Sequence, residues 1–590
     1  MLRIKDIIFF VLILSLTSHS QDKTPGKWET VFEKSGYIST ADYEQTMEYF
    51  GRFAKEFPEV SIMPFGESPQ GRRLMYLVVS ESGITNPADA RKAGLPVVLI
   101  TNGIHSGEIE GKDACMLLLR DILVTREKAF LLKNAVLVIV PIFSVDGHER
   151  KSKYNRINQD GPEEMGWRTT AQNLNLNRDW VKADTPEMQA MLRLFNLWMP
   201  DYYIDTHTTD GADYQYSVTY GLDKFQNLYP GLAGLVRQEL IPHLVKRVEE
   251  QGFLISPYVG FRAGQPDSGL VDWPSTPRFS NGYATVQNRI GLLVETHMMK
   301  PYKERVFATK AILTASLEFV NANSSRLTEM NREADEVTIG MYAEGRKHLP
   351  LLFRVNNKTT KFLYKGIEAI KESSVVSGAQ KLVYTGKKYG KEVPYYNDAE
   401  VVDSVLLPYA YVIPPEYSLL AERLVLHGVR YEVLQKDSEA EVTKYKFKNV
   451  KFSASPYEGR QTVTCGYDNY VEKTVLKKGS YIIKPAQRSI KLIAMALEPK
   501  SGDSFLRWGF MNAIFEHKEY YEDYVMEKVA LEMLEADKEL ETEFNKKLAE
   551  DDKFRNDPDA RLNFFYERSP YFDKQKNVYP VVRIEKRVDF

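Results

Sequence analysis

Residues 96–119 read PVVLITNGIHSGEIEGKDACMLLL, and this stretch decides the fold class. The opening run PVVLIT is short, apolar and rich in β-branched side chains, which is typical of a buried strand. The segment 111–123 that follows has the apolar spacing of a helix. A buried strand that leads into a helix is the repeating unit of an α/β domain.

The same alternation of apolar runs and helical runs extends from about residue 40 to residue 320. The sequence predicts buried strands over 75–80, 96–101, 135–141, 202–206 and 291–296, and helices over 111–123, 186–198 and 310–321. Strands that alternate with helices predict an α/β fold, with a mixed, mostly parallel sheet flanked by helices.

A polar, charged stretch at 325–350 suggests a domain boundary, so we expect a first domain over 21–325 and a second region over 326–590. The second region is predicted to be an accessory domain of mixed α and β structure, with room for two subdomains. It contains a predicted strand–helix–strand unit over 411–434 and a predicted long charged helix over 520–549. A structural support, a lid that gates substrate and a carbohydrate- or surface-binding module all remain open for it.

The composition of the chain argues against several kinds of binding site. The 590 residues carry a net charge of −2, which gives no electrostatic argument for nucleic-acid binding. Only two cysteines occur, so a disulfide framework and a cysteine-rich metal site are both excluded. Any metal must therefore be held by histidine, aspartate and glutamate.

The first twenty residues read as a secretory signal peptide. Arg3 and Lys5 precede the apolar run IIFFVLILSL at 7–16, and Ser18-x-Ser20 fits a cleavage site before Gln21. Ten apolar residues are too few to span a bilayer as a helix. We therefore expect a secreted or periplasmic protein without membrane insertion, and the oligomeric state stays open.

His105 and Glu108 follow the strand PVVLIT directly. Residues three apart at a helix start face the same way, so the two side chains can share one cation. The alternative is a loop histidine beside a glutamate that caps the positive helix end.

His207 and Glu295 also lie at the ends of predicted strands, those at 202–206 and 291–296. Polar groups at the carboxyl ends of strands converge on one crevice in an open α/β sheet. Two histidines and a carboxylate form a catalytic zinc set whose fourth position is open to water. A further carboxylate nearby is the general base that such a water needs.

A group of guanidinium and amide donors lies between these motifs, at Arg168, Asn177 and Arg178. An arginine beside a metal can stabilise a developing oxyanion or bind a carboxylate through two parallel hydrogen bonds. The alternative is ion pairing on the surface, because most of the 78 basic residues of the chain must be solvated.

Taken in order, His105-x-x-Glu108, Trp167-Arg168, Asn177-Arg178-x-Trp180, His207 and Glu295 resemble the zinc carboxypeptidase family, the carboxypeptidase A-like metallopeptidases. The step Asp146-Gly147 after the strand at 135–141 is also similar to that family. The resemblance covers about residues 40–320 and implies a carboxypeptidase-like catalytic domain there.

The resemblance implies a role for each matching residue. His105, Glu108 and His207 would bind one Zn²⁺ per chain, and Glu295 would be the general base for the metal-activated water. Arg168 would polarise the scissile carbonyl, while Asn177 and Arg178 would hold the free C-terminal carboxylate of a peptide substrate.

Three positions depart from the family pattern or match it loosely. Asn175 stands where the family usually has an aspartate that orients the first zinc histidine. Two candidates exist for the family's mobile tyrosine, Tyr258 and Tyr283, and we predict substrate contact from Tyr283. Val271 is expected to line the specificity pocket, which would favour an apolar or aromatic terminal residue. The nearby Asp267 and Asp272 could reverse that preference.

The leading hypothesis is therefore an exported zinc metallocarboxypeptidase that hydrolyses the C-terminal peptide bond of peptides. One alternative keeps the zinc site but acts as an amidase on cell-wall peptides or a deacylase on N-acyl amino acids. Another is an inactive peptide-binding module.

Overall fold

The computed structural model of the protein describes residues 26–343 and 347–588. The predicted signal peptide at 1–20 lies outside the described residues. Within the described part, no helix combines the length and apolarity that crossing a bilayer requires.

A large mixed sheet organises the first half of the chain, and all five predicted strands belong to it. The strands up to residue 297 are β1 Val60–Glu67, β2 Arg73–Val79, β3 Val97–Asn102, β4 Val136–Val140, β5 Tyr202–Thr209, β6 Val218–Leu222, β7 Ile255–Pro257, β8 Leu270–Val271 and β9 Ile290–His297. Eight of them form one sheet in the order β1-β2-β4-β3-β5-β9-β6-β7. The four central strands, β4, β3, β5 and β9, run parallel to one another.

Helices cover both faces of this sheet. They are α1 Val31–Lys34, α2 Tyr43–Glu56, α3 Pro87–Ala93, α4 Glu110–Leu119, α5 Val145–Glu149, α6 Pro186–Trp198, α7 Pro230–Leu235, α8 Ile241–Glu250, α9 Ser280–Val286 and α10 Tyr302–Ala322. The boundaries of α6 agree with the prediction, because Thr185 caps its N-terminus and Pro186 takes the first helical position. The expected α/β class is confirmed.

Strands β3 and β4 are apolar along nearly their whole length because the sheet is buried on both faces. Val98 and Ile100 of β3 point into one hydrophobic core, whereas Val97 and Leu99 point into the other. This alternation follows from the two-residue period of a strand. It explains why PVVLIT reads as a continuous apolar run and not as an alternating one.

The remaining chain contributes seven helices and ten strands to the described structure. The helices are α11 Ser324–Ala343, α12 Ser418–Leu426, α13 Ile490–Leu497, α14 Asp523–Ala536, α15 Lys538–Glu550, α16 Asp552–Arg555 and α17 Pro558–Tyr566. The strands are β10 His348–Val355, β11 Thr360–Ser373, β12 Gln380–Tyr396, β13 Ala399–Leu406, β14 Ala410–Ile413, β15 Glu432–Val433, β16 Ser438–Phe452, β17 Val463–Leu476, β18 Tyr481–Ile483 and β19 Val582–Ile584.

These strands form three further sheets. Six of them make a sheet in the order β15-β18-β14-β19-β16-β17, and β10 pairs with β13. The long hairpin of β11 and β12 joins the first half of the chain, because β12 pairs in parallel with β8.

The prediction of one long helix over 520–549 was wrong. The structure has two helices there, and Asp537 separates them in an extended conformation with φ −130° and ψ 103°. The Asp537 carboxylate accepts hydrogen bonds from the backbone N–H groups of Glu539 and Leu540 and so starts a new helix. Charged residues surround Asp537 on both sides, so this cap does not stand out in the sequence, although aspartate favours caps over helix interiors.

We expect Gly111→Ala to destabilise the protein. Gly111 lies in the first turn of α4, where an added Cβ would overlap Asn102 Oδ1 of β3 and Thr206 Oγ1 of β5. Relief of this overlap must displace the helix, at a cost of about 1–3 kcal/mol. Thermal unfolding measures the effect. Gly234→Ala in α7 is the control, since its Cβ would meet nothing within 4 Å, and an equal effect of both changes would contradict the prediction.

We expect Glu187→Gln to reduce the loss of stability with rising pH. Burial, with the nearby charges of Asp146 and Asp179, raises the pKa of Glu187 to about 7 from an ordinary value of 4.5. The folded protein therefore holds this proton more tightly than the unfolded chain. Stability should fall by up to about 3 kcal/mol as the pH rises from about 4.5 to about 7.

The test compares thermal midpoints at about pH 5 and about pH 8. The Glu187→Gln variant should lose less stability over this range than the wild type. Glu532→Gln, at an exposed site on α14, should behave as the wild type does. An identical pH dependence in all three proteins would refute the expected role of Glu187.

Candidate active site

A cavity of about 410 Å³ opens at the carboxyl ends of the parallel strands β3, β5 and β9. The seven residues to which the resemblance assigns a metal-binding, catalytic or carboxylate-binding role all line it, namely His105, Glu108, Arg168, Asn177, Arg178, His207 and Glu295. They come from the turn after β3, from the irregular stretch before α6, and from the ends of β5 and β9. The sheet topology brings these distant parts of the chain together, as expected for polar groups at the ends of parallel strands.

Three of these side chains form a compact group that can hold a cation. The Nδ1 atoms of His105 and His207 each lie 3.0 Å from Glu108 Oε2. All three residues are buried, with no more than 4% of their surface exposed. The backbone N–H of Glu108 donates to the His105 carbonyl at 2.9 Å. This hydrogen bond closes a turn that places the His105 and Glu108 side chains next to each other.

The outer nitrogen of each histidine is held by an acceptor. His105 Nε2 lies 3.0 Å from Asn175 Oδ1, and His207 Nε2 lies 2.8 Å from Asp205 Oδ2. Each acceptor fixes the tautomer that carries the proton on Nε2 and leaves the Nδ1 lone pair directed at the cation position. Asp205 was missed in the sequence reading, although it lies two residues before His207 on the same strand face.

Two arginines neutralise the buried glutamate. Arg156 Nη2 and Arg168 Nη1 donate to Glu108 Oε1, at 2.6 and 3.0 Å. Burial alone would raise the pKa of Glu108, but His105 and Arg156 hold it well below its usual range. No pattern in the sequence indicates Arg156, because it lies in an irregular segment 48 residues from its partner.

The two histidines differ in their electrostatic surroundings. Burial lowers the pKa of His105 to about 4, so its ring is neutral and able to act as a ligand. Burial would also lower the pKa of His207, but the carboxylates of Asp205 and Glu108 raise it well above its usual range.

The donor set fits a zinc ion. Two imidazole nitrogens and one carboxylate oxygen lie within 4.8 Å of one another, which is the set of a catalytic zinc site with an open position. The acceptors on both Nε2 atoms supply the outer hydrogen bonds that zinc-binding histidines usually have.

Glu295 faces this group from the neighbouring strand. In the parallel pairing of β5 and β9 it stands in register with His207, and its side chain lines the cavity. Its buried Oε2 atom has no hydrogen-bond partner among the described residues. Burial raises the pKa of Glu295 to about 8; His207 opposes this shift, whereas the carboxylates of Glu108 and Asp205 add to it. The residue is therefore suited to exchange a proton near neutral pH.

Asn177 and Arg178 also line the cavity. Asn177 Oδ1 accepts the backbone N–H of Ser280 at 3.1 Å, which directs its amide nitrogen elsewhere. Arg178 Nη1 donates to the Asn177 carbonyl at 2.7 Å, and the guanidinium lies 4.5 Å from the centre of the Phe279 ring. Within the described residues, Arg178 Nη2 and Asn177 Nδ2 have no hydrogen-bond partner, so both can donate to a ligand.

The prediction that Tyr283 contacts substrate is corrected by the structure. Tyr283 is fully buried in α9, and its ring packs 5.0 Å from that of Trp180. Its hydroxyl lies 3.1 Å from His427 Nδ1. The other candidate, Tyr258, lines the cavity, with its hydroxyl 3.1 Å from Thr209 Oγ1. A tyrosine in an apolar helix and one in a loop look alike in sequence, and only packing separates them.

Val271 is likewise not among the residues that line the cavity, because it is paired into the short sheet with β12. The next two residues, Asp272 and Trp273, line it instead. Asp272 is ion-paired with Lys224 and accepts a hydrogen bond from the Tyr395 hydroxyl at 2.8 Å. The acid that could have attracted a basic ligand is thus already neutralised by the protein.

Comparison with known proteins places the chain among peptidases. Residues 46–221 match the family model of the zinc carboxypeptidases. Carboxypeptidase 2 of Trichophyton rubrum is 22% identical over 496 residues, which cover 79% of this chain and 84% of that protein. Probable carboxypeptidase 2 of Arthroderma benhamiae is 23% identical over 461 residues, which cover 74% and 79% of the two chains.

Solved structures similar to this chain include a metallo-carboxypeptidase from Burkholderia cenocepacia, with a TM-score of 0.37 and 16% identity over 48% of this chain and 70% of that one. Carboxypeptidase A from Helicoverpa armigera has a TM-score of 0.36 and 18% identity over 49% and 73% of the two chains.

The matched range contains the two histidines and the glutamate of the cation site, together with Arg168, Asn177 and Arg178. Glu295 lies beyond it, and its assignment depends on the geometry of the cavity. Residues 46–221 of this chain therefore match the zinc carboxypeptidase domain, and most of the chain is similar to carboxypeptidases.

Proposed function

We propose that this protein is a zinc-dependent metallocarboxypeptidase that removes the C-terminal residue of peptides. The observation that carries the proposal is the pairing of two groups in one cavity. The cavity is lined both by a cation site with an adjacent buried carboxylate and by Asn177 and Arg178, whose Nδ2 and Nη2 donors have no hydrogen-bond partner among the described residues. This arrangement suits a substrate whose scissile bond is close to a free carboxylate.

His105, Glu108 and His207 would hold one zinc ion through the two Nδ1 atoms and Glu108 Oε2. When bound, zinc supplies Lewis-acid activation of water and of the scissile carbonyl. Asp205 and Asn175 keep the histidine rings oriented, and Arg156 holds the second oxygen of Glu108 in place.

Glu295 moves the proton. Glu295 lines the cavity, and its buried Oε2 has no hydrogen-bond partner among the described residues, so the carboxylate can accept a proton from the attacking water and return it to the departing amine. Arg168 lies at the cavity mouth with 43% of its side chain exposed. A guanidinium there can stabilise the negative charge that develops on the carbonyl oxygen.

Asn177 and Arg178 decide which peptide bond is cut. The free donors of this pair match the two oxygens of a carboxylate. An internal peptide segment would cover the same donors without satisfying them, and unpaired buried donors are costly. This difference favours the terminal bond over internal bonds.

The cavity walls support a preference for an apolar or aromatic terminal residue. Leu222, Leu293, Phe279 and Trp273 contribute apolar surface to the cavity. Asp272, which also lines the cavity, is engaged by Lys224 and Tyr395. A substrate lysine or arginine side chain would have to compete with Lys224 for Asp272, which lowers the affinity that it could gain from this acid.

We also propose export of the protein and a division of labour along the chain. Residues 1–20 carry the sequence pattern of a signal peptide, which supports a secreted or periplasmic enzyme. Residues 21–325 would be the catalytic domain, because every residue assigned above to the reaction lies within it. Residues 326–590 would be the accessory region.

Loss of the outer hydrogen bonds should weaken zinc binding. We expect Asp205→Ala and Asn175→Ala each to reduce zinc affinity by about 10- to 100-fold. The effect of Asp205→Ala should be the larger, because a charged acceptor strengthens its histidine more than an amide does. Competition with a metal-binding dye measures both affinities. Zinc affinity equal to that of the wild type in both variants would contradict the assigned roles.

The activity test uses N-blocked dipeptides with either a free or an amidated C-terminus. The wild type should release the terminal residue from free acids only, and a chelator should abolish release. Glu295→Gln should lower kcat by about 10²–10⁴-fold while zinc remains bound. Arg178→Ala should lower kcat/KM for free acids by about 100-fold or more, since a charged pair is lost.

Arg332→Ala, at an exposed site on α11, is the matched control for Arg178→Ala and should leave both parameters unchanged. Equal turnover of amidated and free peptides would refute the carboxylate-binding role and support an amidase. Stoichiometric zinc without any turnover of this panel would argue against the proposed activity.

A further inference from the structure

A tight turn in the C-terminal half of the chain contacts the carboxylate-binding end of the cavity. It comprises residues 457–460, which connect the segment after β16 to β17. Glu458 and Gly459 have positive φ values of 49° and 74°, as both central residues of a two-residue type I′ turn require. Tyr457 and Arg460 bridge its base.

Tyr457 contacts the arginine that the proposed function assigns to the substrate carboxylate. Arg178 Nε donates to the Tyr457 hydroxyl oxygen at 3.1 Å. Arg178 Nη1 donates to the Asn177 carbonyl at 2.7 Å. Of the five N–H groups of the guanidinium, these bonds use two and leave both on Nη2 and one on Nη1. The free groups form the end of the fork, which is the edge that binds a carboxylate with two parallel bonds.

Glu458 contacts Asn175, which precedes Asn177 and Arg178 in the same segment. Its Oε2 atom accepts the backbone N–H of Asn175 at 2.8 Å. The side chain of Asn175 in turn meets His105 Nε2 at 3.0 Å and accepts the backbone N–H of Asn177 at 2.9 Å. One residue of the turn therefore holds the segment from which both the histidine partner and the amide donor project.

The turn itself is firmly attached at both ends. The Arg460 guanidinium binds both oxygens of Asp184, at 2.7 and 2.6 Å, and stacks 3.6 Å from the centre of the Phe510 ring. The Tyr457 ring stacks on Trp508 with an interplanar angle of 9°. Glu458 contacts Asn175 and Arg460 contacts Asp184, so the turn contacts both ends of the segment that carries Asn177 and Arg178.

We propose that Tyr457 is a positioning residue for substrate recognition, through which the C-terminal half of the chain completes the carboxylate-binding end of the active site. The inference rests on the proposed function, since it assigns Tyr457 a task only if Arg178 binds a carboxylate. An arginine side chain loses considerable rotamer freedom when it is fixed. The hydroxyl of Tyr457 fixes it before substrate arrives, which reduces the entropic cost of binding.

The test replaces the hydroxyl alone. Tyr457→Phe keeps the ring that stacks on Trp508 and removes the acceptor for Arg178 Nε. For free-acid dipeptides we expect KM to rise by about 3- to 10-fold, with kcat changed less than about twofold. The inhibition constant of the free-acid product should rise in parallel, because it depends on the same fork. Tyr524→Phe is the control, because Tyr524 is 77% exposed on α14 and should behave as the wild type does.

A double-mutant cycle separates a positioning role from a general structural one. In the Arg178→Ala background, Tyr457→Phe should change KM by less than about 1.5-fold, because the partner of the hydroxyl is absent. The same fold-change with and without Arg178 would overturn the inference. So would a KM for Tyr457→Phe equal to that of the wild type.

The two proposals fail in different ways. Equal turnover of free-acid and amidated dipeptides by the wild type would overturn the carboxylate-binding role of Arg178, and the role of Tyr457 with it. A wild type that cleaves only free acids, combined with an unchanged KM in Tyr457→Phe, would overturn the role of Tyr457 alone.

Discussion

The parallel register of β3, β5 and β9 is the constraint on which the site depends. Asn102 pairs with Thr206, and one residue further along β5 His207 pairs with Glu295. Because these strands end at the same edge, the turn after β3 delivers His105 and Glu108 to the place where β5 delivers His207. The start of α4 packs so closely on β3 and β5 that only glycine fits at position 111. A slip of one residue in β5 or β9 would turn His207 or Glu295 to the opposite face.

Glu108 is the electrostatic centre of this arrangement. A buried carboxylate is costly unless it is paired, and here one oxygen faces two histidine nitrogens while the other accepts from two arginines. The pairing keeps the carboxylate ionised inside the protein. Glu295 lines the same cavity, but its side chain forms no ion pair with an arginine among the described residues. Burial therefore raises its pKa, whereas the pKa of Glu108 is lowered. Two glutamates in one cavity thus acquire different chemical character from their surroundings.

The C-terminal half of the chain is built into the same core. Trp180, Phe195 and Tyr283 of the first half share one hydrophobic cluster with Leu349, Tyr411 and many other residues beyond 343. His427 links the two parts further, since its Nε2 donates to the Val181 carbonyl at 2.9 Å. Burial lowers the pKa of His427 to about 4, so this link persists as a neutral hydrogen bond. The turn at 457–460 and the Tyr395 hydroxyl contact residues of the site from a part of the chain whose sequence has no recognised catalytic motif.

The sequence by itself determined the α/β class, the central strands and the residues that meet at their ends, because strand periodicity and motif order are local properties of the chain. The sequence could also have indicated Asp205, because it lies two residues before His207 and therefore on the same face of the strand. Arg156 and Tyr457 could not be identified in this way, because each lies in an irregular segment and meets its partner only after distant parts of the chain pack. Packing alone also decided that Tyr283 belongs to the core and that Lys224 neutralises Asp272. Contacts of this kind depend on side-chain positions in three dimensions, and no spacing along the chain encodes them.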